Sequence, residues 1–300
     1  MGMALKLPLD RLVDSAMSKY NVPEWVRPYA YKYVRNNPIG SVKFAISLVD
    51  TKRKKGEVTK ERVMLPNGKS FRVESILKVL SLFFYGEDVI AHIERGWADG
   101  SRVKNAEYER RFSEMSELDA KYARAIKNLA EGLGGRVGER QDSLQRTFDY
   151  IAAMEDWNER VFVTGLVLRY AYARTFGSVF YKVFYPVAPE FMRSFGKAFS
   201  SKNRGVNWDT EEAERLVRSG TIEKERVLEL ARETLARIMW SVDANMRLAK
   251  ELSMEKEVAL LSEVSVAYPF HRLSELGVEL EVKEEIEEVR ARFAKLKSGR

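Results

Sequence analysis

Helical periodicity is the feature of this sequence that most restricts its fold, because apolar residues recur at helical spacing almost throughout. The segment from Ser116 to Gly135, SELDAKYARAIKNLAEGLGG, is typical: one amphipathic helix is followed by two glycines that end it. Residues 61–73 alone, with apolar alternation on both sides of Asn67-Gly68, predict a hairpin. The sequence therefore predicts an all-α protein with one small β-hairpin.

The predicted helices suggest three parts of the chain. Short helices are predicted at 8–20, 23–36 and 40–54, and long ones at Ser75–Trp97, Asn105–Leu133, Ser143–Tyr185 and Pro189–Ser200. Further helices are predicted from Asp209 or Thr210 onward, at Thr221–Leu252, and at 255–275 and 283–298. We interpret residues 1–74 as an N-terminal elaboration, 75–202 as an antiparallel four-helix bundle, and 203–300 as a C-terminal extension packing on it.

Composition excludes several classes of protein. Cysteine is absent from the 300 residues, which excludes a disulfide scaffold, a zinc ribbon and a cysteine nucleophile. Abundant Lys, Arg and Glu without Cys is typical of intracellular proteins from hot habitats, so we expect a cytoplasmic location. The first residues lack the apolar core of a signal peptide, and no apolar run of about 18 uncharged residues predicts a membrane span.

Acidic residues recur at a spacing typical of helical metal proteins. Two-metal bundles use one carboxylate from each of two helices and a Glu-x-x-His pair from each of the other two. Asp119 follows Glu87 by 32 residues, and Glu190 follows Glu155 by 35 residues, or Glu159 by 31. Hard ions such as iron and manganese prefer oxygen ligands, so these acids are the candidate metal ligands.

The histidines that such a centre needs do not follow the acids. Tyr122 stands three residues after Asp119, and Arg193 stands three residues after Glu190. His92 is the remaining candidate ligand, since His271 lies outside the bundle. We therefore expect no complete two-metal site and no bound cofactor. If a cofactor is bound, we expect it to be iron or manganese.

Carboxylates in a dry core need a cation to remain ionised. We expect Arg193, Arg160 or a lysine to neutralise them, or one hard ion such as magnesium or manganese to bind there. Arg193 is favoured because it occupies a histidine position of the motif and a guanidinium can bridge two carboxylates.

Four segments resemble the ligand helices of the ferritin-like superfamily: GEDVIAH, ELDAKYARAIKNLAEGLGG, EDWNERVFVTGLVLRY and EFMRSF. The resemblance covers roughly residues 75–245 and is nearest to the phenylacetic acid catabolic (ring-epoxidising) proteins and related diiron monooxygenase subunits. It implies a ferritin-like bundle with iron or manganese as the cofactor of its active members. The substitutions at Tyr122 and Arg193 imply a subunit that has lost its metal and serves as a structural partner.

Three functions remain open at this stage. The first is a structural or binding subunit with a weakened or lost two-metal site, whose apolar interior could hold a long apolar ligand. The second is an active carboxylate-bridged oxidoreductase. The third, less favoured, is a basic helical protein that binds nucleic acid through the run Lys52–Lys55, since the net charge is +7. The apolar helix Val161–Phe184 also predicts a homo-oligomer or a second subunit.

Overall fold

The computed structural model describes residues 13–14, 17–18, 22–36, 57–64, 70–99, 106–138, 141–173 and 208–299. Most of these residues are helical, so the all-α prediction is confirmed. The predicted helices at 40–54 and Pro189–Ser200, the turn at Asn67-Gly68 and the basic run Lys52–Lys55 lie outside the described residues.

The described helices follow one another along the chain as α1 (Arg27–Asn36, after a 3-10 turn Glu24–Val26), α2 (Val73–Asp99), α3 (Ala106–Gly132), α4 (Asp142–Ala152), α5 (Trp157–Phe162), a π-helix (Val163–Ala173), α6 (208–218), α7 (Lys224–Ala244), α8 (Met246–Glu251), α9 (Glu255–Glu275) and α10 (Val282–Ser298). A small antiparallel sheet precedes α2 and consists of β1 (Glu57–Val58), β2 (Arg62–Met64) and β3 (Ser70–Arg72). The predicted hairpin corresponds to β2 and β3, and β1 adds a third strand.

The first two long helices form an antiparallel pair. The Trp97 and Phe112 rings lie 5.2 Å apart between centroids near the connection, and the Ser116 hydroxyl donates to the Ala91 carbonyl at 2.8 Å. Helix α3 ends at the predicted glycines, because Gly134 has φ of +79°, a backbone conformation that favours glycine. This pairing places residues near position 88 of α2 opposite residues near position 119 of α3.

The predicted single helix Ser143–Tyr185 is wrong. Helix α4 ends at Ala152, and Asp156 begins a new helix by accepting hydrogen bonds from the backbone N–H groups of Asn158 and Glu159 at 2.8 and 3.0 Å. Such local bonding by an aspartate competes with continuation of the preceding helix. The chain then forms a π-helix that begins at Val163. This type of helix is rare in proteins overall, but where it occurs it is often at a functional site.

The predicted helix Thr221–Leu252 is also interrupted. Helix α7 ends at Ala244, and Asn245 separates it from α8 with φ of −102° and ψ of 3°. The Asn245 side-chain amide donates to the Ser241 carbonyl at 2.7 Å, which replaces a backbone donor at the helix end.

The larger of two hydrophobic clusters among the described residues crosses the boundary predicted near residue 202. It joins Val89 of α2, Phe148 of α4, Leu166 of the π-helix, Leu235 of α7 and Phe270 of α9. The C-terminal helices therefore complete the centre of the molecule.

The described part of the apolar run Val161–Phe184 is covered within the chain. The π-helix contacts α5, α7 and α9, and Leu166 is fully buried. Association with another chain remains a prediction, and the part of that run after 173 lies outside the described residues. No helix among the described residues has the length and apolar character to cross a membrane.

Candidate functional site

An elongated cavity of about 220 Å³ lies between the helices. Helix α2 borders it from Val79 to Glu94, which corresponds to a length of about 22 Å at the helical rise per residue. Helices α7 and α8 border it from Ile238 to Leu252 on another side. The lining of the cavity therefore extends along the helix axes, and we call this cavity the tunnel.

Apolar side chains form most of its wall. They come from helices throughout the chain: Val79, Leu82, Phe83, Ile90, Met115, Leu144, Phe148, Leu168, Ile238, Val242, Leu248, Leu252, Met254 and Val258. A cavity of this size has room for several water molecules, yet such a wall offers water few hydrogen-bond partners. A wall of this kind favours an apolar ligand.

Charged residues line the other part of the cavity, and we call Glu94, Asp119, Arg169 and Asp209 its charged end. The three acids are almost completely buried, at 1%, 3% and 1% exposure in that order. Arg169 Nη2 donates to Asp209 Oδ2 at 2.6 Å. The charged end thus brings together side chains from four separate helices, with the acids near the Arg169 guanidinium.

The charges at this end stabilise the guanidinium in its buried position. Burial by itself lowers the pKa of Arg169, but Asp209 and, after it, Asp119 and Glu94 raise it, and the net direction is upward. Arg169 therefore stays protonated among the carboxylates, as expected for a buried arginine with acidic neighbours.

The sequence brings Arg169 to Asp209 through a close approach of two helices. A Cβ atom at Gly165 would lie 2.2 Å from the Asp209 carbonyl oxygen, so only glycine fits this position of the π-helix. The Thr210 hydroxyl also donates to the Gly165 carbonyl at 2.9 Å. Because Arg169 follows Gly165 by about one turn, its side chain reaches the start of α6. Gly165 therefore lies where the π-helix and α6 approach each other closely.

A short belt of uncharged polar residues, Thr147, Ser241 and Asn245, also lines the cavity. The Thr147 hydroxyl lies 2.8 Å from the Ser143 carbonyl, to which it donates, and 3.3 Å from the Ser241 hydroxyl. Asn245 donates to the Ser241 carbonyl. We call these three residues the polar belt.

The structure brings together two of the predicted metal ligands. Glu87 and Asp119 both line the cavity, on the antiparallel pair that their spacing predicted. Glu155 is exposed in the break between α4 and α5, so the expectation that it faces inward is wrong. Glu159 faces α7, where it accepts two hydrogen bonds from Arg226 at 2.6 and 2.7 Å. The break after Ala152 moves both residues away from the cavity.

The remaining predicted residues lie elsewhere. The His92 side chain is 77% exposed and contacts the Asp88 carbonyl at 2.6 Å, so it faces solvent rather than the cavity. Tyr122 is buried in α3 and is not part of the cavity wall. Glu190 and Arg193 lie outside the described residues.

Arg160, one of the arginines expected to neutralise the acids, is not among the described residues that line the cavity. Its Nε donates to the Met154 carbonyl at 2.6 Å, and its guanidinium lies 4.9 Å from the Trp97 ring and 4.4 Å from the Trp157 ring. These contacts stabilise the junction of α4 and α5.

Sequence reasoning missed three members of the charged end. Glu94 follows Glu87 by seven residues, two helical turns, and so lies on the same side of α2. Arg169 interrupts an apolar run, and an arginine in such a run needs a buried acidic partner. Nothing in the sequence pairs it with Asp209, 40 residues away.

The donor set differs from that of a two-metal centre. Within the described ranges, no three His, Asp or Glu side chains are grouped as a metal ion would require, and a guanidinium lies among the carboxylates. Comparisons with family models, with curated proteins and with solved structures found no match for this chain.

Proposed function

We propose that this protein binds a small, elongated apolar molecule in the tunnel, as a binding subunit of ferritin-like type with a lost two-metal site. The observation that carries the proposal is the cavity itself, apolar along most of its length and bordered by α2 over about 22 Å. Pockets that hold small molecules are concave and mostly apolar, with a few placed polar groups. This cavity has that composition.

The arrangement of the helices supports the ferritin-like part of the proposal. Helices α2 and α3 are antiparallel, and α4 and α7 pack beside them around a common interior. In such bundles, sites are built from side chains that project into the interior from facing helices. Arg169 then takes the place of the metal charge between acids from different helices.

The charged end favours binding over acid–base catalysis. Arg169 is held by Asp209 at 2.6 Å, and an arginine does not give up its proton in proteins. The ion pair therefore stabilises the end of the cavity instead of transferring protons to a bound molecule.

Binding of a neutral fluorescent probe, N-phenylnaphthylamine, tests the proposal. We expect saturable fluorescence enhancement with the wild-type chain and at least tenfold weaker binding in Ala249→Phe and in Val242→Phe, because both residues line the cavity. Ala152→Phe is the matched control, since Ala152 is exposed at the end of α4. Thermal unfolding of each variant verifies that it is folded.

Two results would contradict the proposal. One is wild-type affinity in both folded cavity variants, which would place the probe elsewhere. The other is the recovery of two equivalents of iron or manganese per chain from cells grown with both metals, which would favour the oxidoreductase.

A further inference from the structure

The polar belt groups three of the four uncharged hydrogen-bonding side chains among the described residues of the cavity wall. The fourth, Thr164, donates to the Arg160 carbonyl at 2.8 Å. Thr147 comes from α4, while Ser241 and Asn245 stand one turn apart on α7 and at its end. Apolar residues lie on both sides of them along the helix, at Ile238 and Leu248. The belt therefore lies partway along an apolar tunnel.

Counting hydrogens shows what the belt offers to a ligand. The single hydroxyl hydrogen of Thr147 goes to the Ser143 carbonyl at 2.8 Å, which leaves Ser241 as the donor in the longer 3.3 Å contact between the two hydroxyls. One amide hydrogen of Asn245 goes to the Ser241 carbonyl, and a second remains. An oxygen atom at normal hydrogen-bond distance would be a better acceptor for Ser241 than Thr147 is.

The four charges of the charged end are already engaged with one another. Asp209 holds Arg169, and Asp119 and Glu94 act on the same guanidinium. A ligand carboxylate would have to compete with Asp209 for Arg169, and a ligand ammonium would have to compete with Arg169 for the acids. Either competition exposes a buried charge, which is unfavourable. A neutral ligand avoids both.

We infer that the cavity takes a neutral chain-like molecule with one acceptor oxygen, a ketone or an alcohol, and that Ser241 and Asn245 donate to that oxygen. The inference rests on the proposed binding function and names its ligand class. The apolar wall binds the hydrocarbon chain, and the polar belt fixes the position of the oxygen along the tunnel.

Displacement of N-phenylnaphthylamine by five eight-carbon compounds tests this assignment. The compounds are methyl hexyl ketone, n-octanol, n-octane, octanoate and octylammonium. We expect Ser241→Ala to weaken binding of the ketone and the alcohol by about fivefold, the effect of one lost hydrogen bond, and to leave octane within about twofold. Each compound is compared between the variant and the wild-type protein, so differences in solubility from one compound to another do not affect the result.

A second variant and a control complete the experiment. Asn245→Ala should also weaken the ketone more than the alkane, whereas Ser274→Ala, an exposed serine of α9, should change neither. Octanoate and octylammonium should bind more weakly than octanol to the wild-type protein.

The possible results separate the two proposals. Equal loss for ketone and alkane in both belt variants, or tighter binding of either charged compound than of octanol, would overturn the ligand class and leave the apolar cavity standing. Failure of all five compounds to displace a probe, or of the probe to bind at all, would overturn the binding function and the ligand class together.

Discussion

The charged end of the cavity and the C-terminal face of the molecule use the same chemistry in different surroundings. We define the C-terminal face by Arg232 and Glu229 of α7 and by Glu285 and Arg292 of α10. At the charged end, the Arg169 and Asp209 side chains are 10% and 1% exposed. On the C-terminal face, the Arg292 and Glu229 side chains are 24% and 45% exposed.

By the geometry of their hydrogen bonds alone, the ion pairs of the C-terminal face would be the stronger ones. Arg232 donates to both carboxylate oxygens of Glu285 at 2.6 and 2.7 Å, and Arg292 does the same to Glu229 at 2.7 Å each. The hydrogen bonds from Arg292 lower the pKa of Glu229, as expected for a two-pronged pair.

Burial reverses that ranking for the loss of stability that follows when one member of an ion pair is removed. Water solvates an exposed charge that loses its partner, so exposed pairs contribute about 0–1 kcal/mol. Removing one member of a buried pair leaves a charge without solvent and costs about 3–5 kcal/mol. The comparison therefore teaches that the charged end tolerates substitution less than the C-terminal face, although it has fewer of the hydrogen bonds described above.

Arg169→Met is expected to have the largest effect. It removes the guanidinium from among three buried carboxylates, so we expect a loss of about 3–5 kcal/mol in the free energy of unfolding. Urea unfolding of the variant and of the wild-type protein measures this loss. Arg247→Met, at a 92% exposed side chain, is the control, and an equal loss there would contradict the comparison.

Gly165→Ala tests the close approach that presents Asp209 to Arg169. Its Cβ would meet the Asp209 carbonyl oxygen at 2.2 Å, so the two helices must separate, and we expect a loss of about 1–3 kcal/mol. Gly96→Ala on α2 is the matched control, because no atom lies within 4 Å of its Cβ position. There the same change should stabilise the helix by about 0.5–1 kcal/mol. Changes of the same sign in thermal unfolding of both variants would argue against the close approach.

Glu285→Gln and Glu229→Gln sharpen the comparison within the C-terminal face. Glu285 has a 7% exposed side chain, whereas that of Glu229 is 45% exposed, although both accept two hydrogen bonds from an arginine. We expect losses of about 1–2 kcal/mol for Glu285→Gln and below about 1 kcal/mol for Glu229→Gln. Unfolding in low and high salt measures them, and a larger loss at Glu229 would show that burial is not the deciding factor.

The sequence predicted the helices well where periodicity is strong and the ends carry glycine. Helix α3 was expected at Asn105–Leu133 and spans Ala106–Gly132, because Gly134 ends it with a positive φ. The break after Ala152 was not predicted, since apolar spacing continues across it. Its signal was the Asp156-x-x-Glu159 pattern, an acidic cap followed by a glutamate three residues later.

A smaller part of the candidate site follows from the sequence for a similar reason. Glu87 and Asp119 face one cavity because they lie on consecutive antiparallel helices, whose register a spacing can predict. Arg169 and Asp209 meet through tertiary packing at Gly165, which no local pattern encodes. The neutralisation of acids by an arginine follows from electrostatics, but the identity of that arginine depends on the fold.

The smallest effect is expected at His271, where burial of the side chain rather than an ion pair is the main influence on its pKa. Its ring stacks on Trp25, 4.4 Å between centroids at 14°, and so attaches the segment before α1 to α9. Burial lowers the pKa of His271 from 6.5, against a smaller opposing effect of Glu275. The neutral ring is therefore favoured in the folded state. Its contribution to stability is complete above pH 6.5 and is lost as the pH falls through the lowered value.

Hydrogen exchange of the amides of 24–36 between pH 7.5 and 5 measures this contribution. We expect faster exchange at the lower pH, after correction for intrinsic rates, because detachment of the segment lets His271 take up a proton in water. His271→Phe keeps an aromatic ring against Trp25 and should abolish the pH dependence, whereas His92→Phe, at an exposed site, should retain it. If His271→Phe retained the pH dependence, protonation of His271 would not be its cause. Burial of this ring would then not set the response of the segment to pH, even though the ring stacks on Trp25.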